Sequence, residues 1–61
     1  MDRQHEVWAE ALWVERHKGE DAAYFIAHQI ACLMLANDEA GVVRWERIAA
    51  AYEQIRAGTL Q

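Results

Sequence analysis

Ala22-Ala23-Tyr24-Phe25-Ile26-Ala27-His28-Gln29-Ile30-Ala31-Cys32-Leu33-Met34-Leu35-Ala36 contains no charged residue, no glycine and no proline. Wound as a helix at about 100° per residue, it places Ala23, Ile26, Ile30, Leu33 and Met34 on one side and Tyr24, Phe25, Cys32 and Leu35 on the other. Only His28 and Gln29 interrupt the apolar surface. A helix that is hydrophobic all round is normally buried all round. Two further helices from one short chain cannot enclose it, so the segment predicts a central helix that seeks cover from a second molecule.

The flanking residues predict where the helices begin and end. Gly19 suits the left-handed residue that closes a first helix over 3–18, with Asp2 as its N-cap. Lys18 ends one helix and Glu20 and Asp21 begin the next, the arrangement that helix dipoles favour, with Asp21 as N-cap of a second helix over 22–36. Asn37 can adopt the left-handed conformation and Asp38 can cap a third helix over 38–57, which Gly58 ends. The short link predicts an antiparallel hairpin between the second and third helices.

The first helix shows a stripe of Trp8, Ala11, Leu12 and Glu15 with Val7 at its margin, while Trp13 and Ala9 form a second apolar spot. The third carries a seam of Gly41, Trp45, Ile48, Tyr52 and Ile55, spaced as along a packed helix, and its Arg44, Glu46, Arg47, Glu53, Gln54 and Arg56 should be wet. Residues 1–61 are thus expected to form a single all-α domain, a three-helix up-down-up bundle with the second helix central and the third a flank.

At 61 residues, with 54% hydrophobic residues, the chain is too apolar to be disordered and too short to bury a large core. Chains of this size gain stability from disulfides, a metal, dense packing or a partner. Cys32 is the only cysteine, which rules out an internal disulfide and fits the cytoplasm. No apolar run reaches the roughly 20 residues of a membrane span, and the first six residues do not resemble a secretory signal. Ten acidic residues against six scattered basic ones give a net charge of −4, which disfavours nucleic acid as a partner.

Trp8-Ala9-Glu10-Ala11-Leu12, Glu15-Arg16-His17 with Gly19, Phe25-Ile26-Ala27, Ala36-Asn37-Asp38-Glu39-Ala40-Gly41-Val42 and Arg44-Trp45 together resemble a family of short, uncharacterised alphaproteobacterial proteins classed as a domain of unknown function. The resemblance covers nearly the whole chain and implies no activity, ligand or site residue. A looser likeness, in Leu35-Ala36-Asn37-Asp38-Glu39-Ala40, is to tetratricopeptide-type helical hairpins. Three helices would make only one and a half such units, so that likeness implies hairpin geometry alone.

Side chains that could carry chemistry each have a plainer reading. His5, His17 and His28 offer no i, i+4 pair for a metal; His17 with Glu20 or Asp21 would be a loose surface site, and solvated turn residues are expected instead. His28 lies among Tyr24, Phe25 and Cys32, where a neutral, hydrogen-bonded ring is favoured over a pH-sensitive contact. Cys32 beside it is expected to be an inert core filler, since a reactive thiol needs solvent and a lowered pKa. Glu15 on the apolar stripe should make a structural ion pair or hydrogen bond near the helix end rather than serve as a catalytic acid. The chain has no serine, and its single threonine is Thr59.

Trp8 and Trp45 are expected in the core and Trp13 at an interface. Arg44, Arg47 and Arg56 are interleaved with Glu46 and Glu53, which weakens a DNA-recognition reading. The expected role is therefore a non-catalytic, homodimeric interaction module without cofactors, an adaptor, regulator or accessory subunit, with an interface of Trp13, Tyr24, Phe25, His28, Cys32 and Leu35. A ligand- or metal-dependent accessory protein and a DNA-associated regulator are the alternatives.

Overall fold

The computed structural model of the chain describes residues 3–58, which contain no β-strand. Asp2 and Thr59, singled out above, lie outside the described residues. Helix α1 spans Arg3–Lys18, a 3-10 turn spans Gly19–Asp21, α2 spans Ala22–Leu35 and α3 spans Glu39–Ala57.

The expectation of three separate helices requires correction. Helical backbone runs without interruption through residues 3–35, so α1 and α2 are two limbs of one bent stretch and α3 is the second. The bend sits at Gly19, whose φ of 53° is left-handed and whose missing side chain avoids the Cβ strain of that conformation. The Ala22 N–H then donates to the Gly19 carbonyl. With no proline to exclude the helix, winding resumes within one turn. The Asp21 side chain makes no capping hydrogen bond, contrary to expectation, because the 3-10 turn supplies backbone partners first.

The second boundary follows its local chemistry. Asn37 has φ 59° and closes α2. An oxygen of Asp38 accepts from the Gly41 N–H at 2.9 Å and caps α3. Gly58, at φ 69°, ends that helix in the left-handed region.

The centre of the fold is α3, not α2. It packs against both limbs, whereas α1 and α2 touch each other far less, and the molecule is flat, with extents of 37 × 30 × 16 Å. Leu33 lies against Gly41, Phe25 meets Trp45, and Ala23 shares a hollow with Tyr52, so α2 and α3 are antiparallel. The seam of Trp45, Ile48, Tyr52 and Ile55 does face inward. Its margins are Ala49 and Ala51, small enough for a helix to approach on either side, which is why α3 fits between the limbs rather than beside them.

The buried core comprises Val7, Ala11, Val14, Ala22, Ile26, Ile48, Ala51 and Tyr52, with Trp8, Phe25, Ile30, Trp45, Ala49 and Ile55 packed against it. On α1 the inward stripe is Val7, Ala11 and Val14. Glu15 is exposed, so it does not lie on the stripe as expected. Small and β-branched side chains face α3, and the bulky Trp8 and Leu12 occupy the half-buried edge. Arg44, expected to be wet, is half-buried and pairs with Glu10 at 3.6 Å.

Candidate functional site

With α3 covering only its inner side, α2 divides along its length. Ala22 and Ile26 are buried, and Phe25, Gln29, Ile30 and Leu33 are half-buried towards α3. The outer face consists of Tyr24, Ala27, His28, Ala31 and Leu35, with Cys32 on one margin and Ala23 and Met34 on the other, all exposed. Tyr24 is 74% and Leu35 86% exposed. Helix α2 contains no Asp, Glu, Lys or Arg.

The expected interface residues are thus distributed as follows. Tyr24, His28, Cys32 and Leu35 share the outer surface of α2. Phe25 sits on the inner edge, its ring meeting Trp45 edge-on at 5.9 Å. Trp13 lies on α1, 45% exposed. Its ring stacks on His17 at 4.6 Å, and the His17 Nδ1–H donates to the Trp13 carbonyl at 2.9 Å, which fixes the imidazole tautomer.

Lys18 links the two patches. Its ammonium lies 4.6 Å from the Phe25 ring and 5.9 Å from that of Trp13, within the range of cation–π attraction. Beside it, Lys18, Asp21, Tyr24, Phe25 and His28 line an open hollow. The surface is therefore continuous from Trp13 across Lys18 to α2.

Two exposed residues escaped the sequence reading. Met34, assigned to the inner side of α2, is 62% exposed, and Val43 is 47% exposed; both border an open hollow with Val42, Asn37, Asp38 and Glu39. Their position beside the hairpin turn is the only signal that could have identified them.

Cys32 is exposed rather than a buried filler, because the limb it belongs to has a neighbour on one side only. Its Sγ is nearly equidistant from the two ring nitrogens of His28, at 3.8 and 3.9 Å. A sulfur placed so evenly rests against the ring rather than making the directed bond of a thiol–imidazole pair. Among the described residues, no three His, Cys, Asp or Glu side chains come together as metal ligands. Two of the arginines on α3 are engaged with acids, Arg44 with Glu10 and Arg56 with Glu53 at 3.7 Å. No helix among the described residues is long and apolar enough to cross a membrane.

The sequence pattern of a family of unknown function, DUF6961, matches residues 3–58. No curated protein and no solved structure matches the chain.

Proposed function

This chain belongs to DUF6961, a family of unknown function, and we propose from its surface that it is a homodimeric protein–protein interaction module, an adaptor, regulator or accessory subunit rather than an enzyme. The observation that carries this reading is the outer face of α2, uncharged along its whole length and exposed from Tyr24 to Leu35.

Three features favour a second copy as the occupant of that face. Two chains of net charge −4 repel each other at most orientations, but the α2 faces can meet without placing like charges in contact. Ala27 and Ala31, one turn apart, leave room for a close helix–helix approach, with Tyr24 and Leu35 as the larger anchors on either side. A two-fold pairing of identical faces closes the assembly. Trp13 and Lys18 would lie at its rim. The exposed thiol of Cys32 suits a reducing compartment such as the cytoplasm.

Ala31→Arg tests the reading. Arginine is a good helix former, and residue 31 is exposed in the single chain, so the variant should fold. Wild-type chain should melt at a higher temperature as its concentration rises. The variant should melt at one temperature throughout. A wild-type melt that ignores concentration overturns the proposal.

A further inference from the structure

Resting on the self-association reading above, we propose that the pairing is controlled by pH through His28. The midpoint of α2, Ala22–Leu35, falls beside His28, which is exposed on the outer face. When a helix pairs centrally and antiparallel with its own copy about a two-fold axis, a residue at its midpoint that flanks the contact line lies on the same side as its counterpart in the copy. Dimerisation therefore brings two imidazoles, one from each chain, out of water side by side.

Neutral rings tolerate that position, because each can donate at one nitrogen and accept at the other. Two imidazolium ions do not. Each would lose its hydration in an uncharged interface, and each would face a like charge.

The groups around His28 offer little compensation. The Tyr24 ring stacks at 6.2 Å, and Cys32 rests against the imidazole. Lys18 from α1 and Asp21 from the 3-10 turn line the same hollow, so the one carboxylate lining it is accompanied by an ammonium. No residue of α3 lines that hollow, since α3 packs on the other side of α2.

Histidine ordinarily titrates near pH 6.5. The dimer holds its full stability above that value and loses it as the pH falls, because association must then expel protons. With one ring per chain, the dissociation constant should rise by up to about 100-fold between pH 7.5 and pH 5.5.

The test measures the dimer dissociation constant of the full chain by analytical ultracentrifugation at pH 7.5, 6.5 and 5.5, with far-UV circular dichroism confirming helix at each pH. Wild type should weaken at least tenfold over that span. His28→Gln and His28→Phe, which cannot titrate, should stay constant within about twofold. His5→Gln and His17→Gln should follow wild type. A wild-type constant that does not change with pH overturns the switch and leaves the dimer standing, as does a pH dependence that survives in either His28 variant. A wild-type chain that is monomeric at pH 7.5 overturns the self-association reading, and the switch with it.

Discussion

Ile48→Ala and Leu35→Ala remove similar aliphatic groups from opposite environments, and the single chain should respond to them very differently. Ile48 is fully buried at the centre of α3, whereas Leu35 is 86% exposed. Truncating Ile48 removes three carbons, worth about 2.4 kcal/mol at roughly 0.8 kcal/mol each. The cavity left between two helical limbs raises the loss to about 3–4 kcal/mol. Domains of this length have only about 3–9 kcal/mol in total, so the variant should lose at least about a third of its stability, and all of it at the low end of that range. Leu35→Ala forfeits only the small buried fraction of its side chain, less than about 0.5 kcal/mol. Urea titrations followed by circular dichroism, at a concentration low enough to hold the chain monomeric, compare the two directly. Equal losses at the two positions, or an Ile48 variant within 1 kcal/mol of wild type, would refute the placement of the core.

Two further outcomes follow from the hairpin and from the outer face. Gly41→Ala should destabilise the chain despite the roughly 1 kcal/mol that alanine gains in helix propensity, because a Cβ there would lie 2.8 Å from the Asp38 carboxylate and 3.0 Å from Leu33; the same variant in an Asp38→Ala background, where the cap is already lost, should cost less, as thermal melts of the three chains will show. Alkylation of the Cys32 thiol should slow as protein concentration rises through the dimer constant, and a rate independent of concentration would place Cys32 outside the contact.

Much of the chain's architecture could be read locally. Gly19, Asn37, Asp38 and Gly58 each mark a boundary because the chemistry of a helix end is settled within a few residues: a left-handed conformation needs glycine or asparagine, and a free N–H needs an acceptor. The continuity of α1 into α2 was not legible, since a left-handed glycine ordinarily signals a full stop and only the absence of a competing breaker lets the helix resume.

Face assignment was harder, for a reason visible in particular residues. Helix α2 is apolar on all sides, so its periodicity could not say that Phe25 turns inward and Met34 outward. The same uniformity made it look central, when the central helix is the one whose seam is bordered by Ala49 and Ala51. Alanine carries almost no directional signal in a sequence, yet it decides which helix two others can approach. On α1, Val14 outranked the larger Trp8 and Leu12 for the same reason: close packing against α3 selects for fit before size. The exposed surface of α2, by contrast, was foreshadowed, because a short chain has too few helices to cover a helix of that composition.

Solution mass across a dilution series is the most direct measurement of whether α2 pairs with its own copy. Sedimentation equilibrium at neutral pH should give twice 7.0 kDa at high concentration, fall towards the single-chain mass on dilution, and remain at the single-chain mass throughout for Ala31→Arg. A well-folded wild-type chain that stays at 7.0 kDa at every concentration would contradict the pairing.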